Sequence, residues 1–330
     1  MPVFGWYAET LVRYALVAVA IVVVMLLTYR GLRAAGVRRE PATGFALIIP
    51  WFLGFLIWNL FPVVASLYLS LTDYNILQAP NMVGLANYQQ LAEDERFWAS
   101  LRLTMAYSAI TVPLGLILSL FAATLLNQGV RGVGLWRTLY YLPAILPAFV
   151  TALLWRLMLL PTRSGLVNSA TEPIWSLFGD TPPRWFLDPG TVLWGFVIMS
   201  FWGVFGANTI IMLAGLKNIP RDLYEAADMD GAGLRAKFRH ITIPQLTPTL
   251  FYLLVMGIIA GIQIFDQGLF VGALRDNFLN VYLYQQGFTF FHMGYASAIA
   301  WVMLVIILVL TLAVFRSSSA WVYYEGEVKR

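Results

Sequence analysis

Residues 217–244 read KNIPRDLYEAADMDGAGLRAKFRHITIP, and this polar stretch lies between two long apolar runs. Residues 217–239 carry nine charged side chains, whereas the run 190–216 carries none and the run 246–266 carries only Asp266. Hydrocarbon contains no water to bond polar groups, so a charged segment of this kind belongs in an aqueous phase. We therefore predict an aqueous loop between two membrane spans.

The composition of the whole chain supports a membrane protein. It is 60% hydrophobic and 12% charged, and its mean hydropathy is +0.73. This charged fraction is about half that of an ordinary soluble domain. A helical span needs about 20 predominantly apolar residues, whereas the strands of a membrane barrel alternate over about 10. Long enough runs occur at 11–29, 44–71, 102–126, 136–160, 190–216, 246–266 and 295–315. We predict an all-α, polytopic membrane protein with about seven transmembrane helices.

The distribution of Lys and Arg predicts the orientation. With the N-terminus outside, cytoplasmic segments hold 14 of the 21 cations, outside segments hold five, and Arg13 and Arg156 fall within spans. Cytoplasmic loops are the ones enriched in Lys and Arg. We predict an outside N-terminus, a cytoplasmic C-terminus and a cytoplasmic 217–244 loop. The cluster from Arg30 to Arg39 follows the first apolar run, so we expect a retained helix rather than a cleaved signal peptide.

The chain carries no pattern typical of catalysis. It has no cysteine, no Gly-Lys dipeptide of a phosphate-binding loop and no His-Glu-x-x-His motif. His240 and His292 are the only histidines and are predicted at opposite membrane faces. The carboxylates of Glu93-Asp94-Glu95 would suit a membrane enzyme, but we interpret them as a solvated helix face. We expect no catalytic residue, no metal and no cofactor in this chain.

The segments between spans also carry structural predictions. Residues 72–101 are predicted to contain a short interfacial helix outside the membrane. Residues 161–189 are rich in Pro, Gly and Asp and are predicted to form a loop across the outer mouth. Residues 267–294 form another outside segment. The polar tail 317–330 is predicted to be frayed rather than helical.

The 217–244 loop itself predicts a compact shape. Pro220 suits the first turn of a helix, because its missing N–H is no loss there. Gly231 and Gly233 would end that helix in a sharp turn. A second short helix would follow and lead to Pro244 at the start of the next span. Two short helices joined by a glycine turn would form a knob that projects into the cytoplasm.

The spacing Glu-Ala-Ala, three residues, Gly, nine residues, Ile-x-Ile-Pro resembles the coupling loop of binding-protein-dependent carbohydrate permeases. That family of ABC importer subunits includes maltose, lactose and glycerol-3-phosphate permeases. The loop of the family ends in Ile-x-Leu-Pro, and Ile243 replaces the Leu here. Further blocks resembling the family occur in its order at 62–75, 83–88, 136–143, 213–216 and 294–298.

The resemblance implies a type I importer core of six helices with one extra N-terminal helix. It implies an extra helix and basic cytoplasmic linker at 1–43, a permease domain at 44–316 that contains the coupling loop, and a cytoplasmic tail at 317–330. It also implies a second related permease subunit, two ATPase subunits that bind ATP and Mg²⁺, and an extracytoplasmic solute-binding protein. The membrane would be the cell (inner) membrane of a bacterium or archaeon. The residues implied in ATPase coupling are Leu223, Tyr224, Glu225, Ala226, Ala227, Asp230, Gly231, Arg235 and Pro244.

Polar groups within spans are functional candidates, because they are costly in hydrocarbon. Sugars need amide or carboxylate partners for their hydroxyls and an aromatic face for the ring. The candidates for a substrate pathway are Ser200, Trp202, Asn208, Gly257, Gly261, Gln263 and Asp266. Alternatively, the amides bond between helices and the two glycines form a packing face. At the level of function, the alternative to a sugar or polyol importer is an ion-coupled secondary transporter or channel for similar solutes.

Overall fold

The computed structural model describes residues 2–128, 132–162, 164–177, 181–272 and 277–323. Across these ranges the regular structure is helical, and the β-structure is one isolated bridge between Thr72 and Met82. Within the described ranges, five helices are long and apolar enough to cross a membrane, and two bent helix pairs raise the number to seven. The predicted all-α class and the number of spans are confirmed.

The chain divides into two compact units, Met1–Leu69 and Ser70–Arg330. In the first unit, helix α1 (Pro2–Ala34) precedes α2 (Arg39–Phe55), which continues through a π-helical turn, Leu56–Leu60, into α3 (Phe61–Ser70). The apolar side chains of α1, such as Leu11 and Leu16, are exposed around the helix. An apolar helix with no polar face is typical of a membrane span. The predicted domain limits at 43 and 316 stay a prediction.

The described part of the second unit contains twelve further α-helices and two π-helical turns, Phe238–Thr242 and Gln285–Thr289. The helices are α4 (Ala86–Glu93), α5 (Glu95–Asn127), α6 (Val133–Ile145), α7 (Ala148–Met158), α8 (Leu166–Leu177), α9 (Pro189–Asn218), α10 (Arg221–Met229), α11 (Leu234–Lys237), α12 (Ile243–Ile262), α13 (Asp266–Val271), α14 (Leu279–Tyr284) and α15 (Met293–Trp321). Helix α4 is the short helix predicted within 72–101, and its interfacial position stays a prediction.

Helix α5 lies at the centre of the second unit and packs against α9 and α12. Near its beginning, Tyr107 meets Phe278 edge-on, with ring centroids 5.0 Å apart, and Phe278 lies 4.5 Å from Phe196. Near its end, Ala123 and Leu126 belong to a cluster with the buried side chains of α9 and α12. The two clusters hold together the helices that surround the candidate sites.

The fourth predicted span is a bent pair, in which α6 and α7 meet at 96°. Leu146 has an extended backbone and Pro147 is the N-cap of α7. A residue that precedes proline is driven out of the helical region, so the helix ends there. Helix α9 is bent by 48° between its two halves, Pro189–Gly203 and Gly206–Asn218.

Two predictions about local structure were wrong. The segment predicted as a loop at 161–189 contains helix α8. The buried Asn168 anchors α8, because its Nδ2 donates to the carbonyls of Leu160 and Pro183, and its Oδ1 accepts from Trp185 Nε1 at 2.7 Å. The first part of the tail is also helical, since α15 continues to Trp321. The tail beyond residue 323 lies outside the described residues.

Candidate functional site

The loop 217–244 begins as a short, exposed helix, α10. Pro220 occupies the N-cap position, whereas the sequence predicted it in the first turn of the helix. At either position its nitrogen, which carries no hydrogen, needs no hydrogen-bond acceptor. Leu223, Glu225 and Ala226 are exposed on α10, and Tyr224 and Ala227 are half-buried. The first predicted helix of the loop is therefore confirmed, and Asp230 is the residue at its C-cap.

Gly231 ends α10 in a left-handed turn with φ +72°. The Gly231 N–H donates to the Asp228 carbonyl at 3.0 Å, and the Ala232 N–H donates to the Ala227 carbonyl at 2.9 Å. This pair of bonds is the Schellman motif, in which the left-handed residue is usually glycine. Gly233 has φ −71°. Of the two glycines, Gly231 is the one whose backbone conformation favours glycine.

The second predicted helix of the knob is not a separate element. Helix α11 passes through the π-helical turn Phe238–Thr242 into α12, so Leu234–Val271 forms one candidate span of 38 residues. Pro244 lies in the first turn of α12, directly after the π-helical turn. Proline has no N–H to donate, so an ordinary α-helix would lose a hydrogen bond at Pro244. The π-helical turn before it bonds residues five apart instead of four, and the helix continues through this segment. Arg235 is exposed on α11.

Two side-chain contacts join α10 to the helix that follows. The hydroxyls of Tyr224 and Thr242 share a hydrogen bond at 2.9 Å. Lys237 Nζ donates to the Asp228 carboxylate and forms an ion pair with it. Sequence reasoning missed both contacts, because their partners are separated by 18 and nine residues along the chain. We call residues 220–242, held by these contacts, the coupling knob.

The coupling knob exposes apolar side chains beside its charges. Met229 is 89% exposed, Leu234 87% and Leu223 37%, although α10 is otherwise polar. Exposed apolar side chains are available for contact with a protein partner, although they lie on two helices, α10 and α11. Glu225 and Ala226 are exposed on the same helix, so a partner has access to a carboxylate and to a small side chain beside it.

A second candidate site is a cavity of about 680 Å³ lined by residues of α5, α6, α7, α9, α12 and α13. It brings together six of the seven substrate-pathway candidates, namely Ser200, Asn208, Gly257, Gly261, Gln263 and Asp266. Sequence reasoning missed four further polar residues of its wall, which are Tyr107, Thr111, Thr151 and Gln267. The first three lie on α5 and α7, where nothing in the sequence distinguishes them from ordinary polar residues within spans, and Gln267 lies on α13.

Gly257 and Gly261 allow α12 to approach α5 closely. A Cβ at Gly261 would lie 2.5 Å from Ser108 Oγ, and a Cβ at Gly257 would lie 3.0 Å from Val112 Cγ1. The two glycines line the cavity together with Gln263, and they also have the close contacts with α5 that the alternative interpretation, a small-residue packing face, requires.

Gln263 and Asp266 lie where α12 ends. Gln263 is the C-cap of α12, and its carbonyl accepts a hydrogen bond of 3.0 Å from Asn280 Nδ2. Asp266 is exposed in the first turn of α13, where the N-terminal dipole of the helix favours a carboxylate. An exposed amide and an exposed carboxylate thus stand at one end of the cavity.

Trp202 does not share this cavity. It lines a neighbouring space of about 540 Å³ together with Trp136 and Trp155. The rings of Trp155 and Trp202 meet edge-on with centroids 6.0 Å apart. Pro143, in α6, lines both spaces.

Asp94 is not the solvated carboxylate that was expected. Its Oδ1 caps α5 by accepting from the Arg96 and Phe97 N–H groups, and its Oδ2 accepts from the hydroxyls of Tyr282 and Tyr295. Partial burial raises the pKa of Asp94, but the hydrogen bonds outweigh it and hold that pKa below its ordinary value. Burial and the nearby carboxylate raise the pKa of Tyr282 to about 12. Asp94 therefore joins α5, α14 and α15.

Among the described residues, no group of three His, Asp or Glu side chains could hold a metal ion.

Residues 115–320 match the model of the family described as "Binding-protein-dependent transport system inner membrane component". The chain belongs to this family. It is the permease subunit of a binding-protein-dependent ABC importer and a multi-pass inner membrane protein, and in such importers a separate subunit is the ATPase. This membership decides against the ion-coupled transporter or channel that the sequence left open.

Curated relatives of this permease align over most of its length. It is 39% identical over 303 residues to the probable ABC transporter permease protein YesP of Bacillus subtilis, covering 89% of this chain and 96% of YesP. It is 32% identical to the arabinooligosaccharides transport system permease protein AraP of the same organism, covering 87% and 91% of the two chains. A chain of a bacterial alginate ABC transporter has the same fold, with a TM-score of 0.71, 22% identity and coverage of 83% and 93%.

Proposed function

We propose that this permease imports a sugar or a related polyol into the cytoplasm. Relatives support this substrate class by their names. AraP is named for arabinooligosaccharides, MalF of Thermococcus litoralis, 34% identical, for trehalose and maltose, and UgpA of Yersinia pestis, 28% identical, for sn-glycerol 3-phosphate. The 680 Å³ cavity falls in the size range of small-molecule sites. Ser200, Asn208, Gln263 and Asp266 would offer hydrogen bonds to hydroxyl groups of the solute.

The proposed complex contains a second, related permease subunit, two ATPase subunits and an extracytoplasmic solute-binding protein. ATP and Mg²⁺ would be bound by the ATPase subunits, and this chain would hold no cofactor. The excess of cations in alternate loops supports an outside N-terminus and a cytoplasmic C-terminus. In that orientation the coupling knob lies in the compartment that contains ATP.

The coupling knob is the observation that carries this proposal. Its helix is capped by the Gly231 turn and held by Tyr224 and Lys237, and it exposes Glu225 next to apolar side chains. A small, fixed projection of this kind fits a cleft on a partner. Ala226, Ala227 and Gly231 would permit close approach, and Glu225 would pair with a basic group of the ATPase.

Co-purification of the ATPase with Glu225→Lys tests this assignment. We expect the wild-type permease to retain its ATPase and the variant to lose most of it, because a carboxylate replaced by a cation repels a basic partner. Glu93→Lys is a matched control, since Glu93 is an exposed carboxylate at the end of α4, outside the knob. Equal retention of the ATPase by both variants would contradict the docking role.

Uptake into vesicles that contain the complex and its solute-binding protein tests the substrate class. We expect ATP-dependent uptake of at least one compound from a panel of arabino-oligosaccharides, maltose, trehalose and glycerol 3-phosphate. Uptake of amino acids or peptides, with none of the sugars or polyols transported, would contradict the proposal.

A further inference from the structure

Helix α12 connects the coupling knob to the cavity without a break. From Leu234 through the π-helical turn to Ile262 the chain is helical, and Gln263 follows at the end of the cavity. At 1.5 Å per residue these 29 residues span about 43 Å, which is enough to cross a bilayer core of about 30 Å. A displacement of the N-terminal end of α12, next to the coupling knob, would therefore be transmitted along the helix to the cavity.

Helix α10, by contrast, is attached to α12 along the chain only through the Gly231 turn. A turn of this type fixes its own backbone but transmits force poorly, because the residues from Gly231 to Gly233 are exposed or half-buried. A load applied to α10 needs a second connection if it is to move α12.

The hydrogen bond between Tyr224 and Thr242 provides that second connection. Thr242 is 7% exposed and lies at the end of the π-helical turn, and its hydroxyl donates to the Lys237 carbonyl at 3.4 Å. This leaves the Tyr224 hydroxyl as the donor to Thr242 Oγ1. The ring of Tyr224 packs on the apolar cluster that includes Leu216 and Leu246.

The Asp228–Lys237 ion pair reinforces the same junction from the other side of the turn. The Lys237 side chain is 15% exposed, whereas the Asp228 side chain is 66% exposed. An ion pair with one partner this exposed contributes little to stability on its own. The hydroxyl pair is thus the polar contact that, together with the packing of the Tyr224 ring, joins α10 to α12.

We propose that Tyr224 and Thr242 are positioning residues of transport, and that their hydrogen bond makes α10 and α12 move as one body. This inference rests on the proposed docking of the ATPase at the coupling knob. It assigns transmission of the movement to a pair of hydroxyls, and it leaves docking itself to the exposed face of α10.

A fluorescent reporter at the cavity tests the proposal without knowledge of the solute. The chain contains no cysteine, so Met256→Cys gives a single labelling site at the cavity wall. The labelled permease is assembled with the other subunits of the proposed complex, including its ATPase, and the change in emission is measured on addition of MgATP and vanadate. Each variant is compared in this background: Tyr224→Phe, Thr242→Val, Thr242→Ser and the double variant Tyr224→Phe/Thr242→Val.

We expect Tyr224→Phe and Thr242→Val each to reduce the emission change about two- to ten-fold, the range expected for the loss of one hydrogen bond. The double variant should be no worse than either single variant, because both remove the same bond. Thr242→Ser keeps the hydroxyl and should keep the response. Thr124→Val is the control for a lost hydroxyl, since Thr124 Oγ1 donates to the Leu120 carbonyl of its own helix at 2.8 Å.

Several results would overturn the proposal. These are an unchanged response in Tyr224→Phe and Thr242→Val, a loss in Thr242→Ser equal to that in Thr242→Val, or no response at Met256 in the parent permease with ATPase bound. Loss of ATPase binding in Tyr224→Phe would also overturn it, because the pair would then act in docking. Failure of the parent permease to bind an ATPase at all would instead refute the proposed docking function.

Discussion

Replacement of Gly231 isolates the contribution of one backbone conformation to docking. Gly231 has φ +72°, and a Cβ built at this position would meet no heavy atom within 4 Å. Gly231→Ala therefore introduces no clash, and its cost comes from the left-handed backbone alone. That cost is about 1–2 kcal/mol for an ordinary L-residue. Gly231→Asn provides the matched control, because Asn adopts this conformation more readily than Ala.

The magnitude follows from the Schellman motif at the end of α10. If docking requires this cap, the strain of Gly231→Ala reduces the fraction of knob in the docking conformation. At about 1.4 kcal/mol per tenfold change, a cost of about 1–2 kcal/mol lowers the affinity for the ATPase roughly 5- to 30-fold. Gly231→Asn should lose distinctly less.

Binding of the ATPase to the permease in lipid nanodiscs, measured by biolayer interferometry, provides the assay. The two variants differ mainly in the backbone preference of residue 231. Wild-type affinity in Gly231→Ala would refute the requirement for the cap. A loss in Gly231→Asn as large as in Gly231→Ala would show that the added side chain, rather than the left-handed backbone, prevents docking.

Three further predictions concern the second unit. Gly261→Val should lower the melting temperature in a thermal-shift assay, because a Cβ at this position would already lie 2.5 Å from Ser108 Oγ and overpacking costs about 1–3 kcal/mol. Adding Ser108→Gly to the same chain should restore part of the lost melting temperature. Asp94 should stabilise the fold above its ordinary pKa of 3.8, and this contribution should be lost as the pH falls through the lower pKa of the folded state. The stability of Asp94→Asn, measured by thermal shift from pH 7 to pH 3, should accordingly depend less on pH, and an unchanged pH dependence would contradict the network. Gln263→Ala should reduce ATP-dependent uptake without changing ATPase binding, whereas Trp202→Ala, outside the cavity, should affect uptake less.

Apolar run length and charge predicted the helical fold well, because membrane spans follow from composition alone. The same rules failed where local geometry depends on tertiary contacts. Proline and glycine near 161–189 indicated a loop, but the buried Asn168 bonds two carbonyls and anchors helix α8. Pro244 suggested the start of a new helix, but the π-helical turn before it lets α12 continue. Such contacts leave no periodic trace in the sequence.

The candidate sites show the same division. The Gly231 turn could be predicted, because the left-handed conformation has a strong residue preference. Most polar candidates within the spans also met at one cavity, as expected for groups that avoid lipid. Trp202 does not line that cavity, because the aromatic character of a residue does not predict which way its side chain points within the helix bundle. The Tyr224–Thr242 pair was beyond prediction, since it depends on how α10 folds back onto α12.

Site-specific cross-linking from Ala226 tests the central claim most directly. The chain has no cysteine, so Ala226→Cys, labelled with a thiol-reactive benzophenone, places one photoreactive group on the exposed face of α10. Ile117→Cys, at a residue 62% exposed on membrane helix α5, serves as the control. The account predicts that irradiation of the intact complex joins position 226, and not position 117, to the ATPase subunit. A product of position 226 with the solute-binding protein, or with lipid alone, would contradict it.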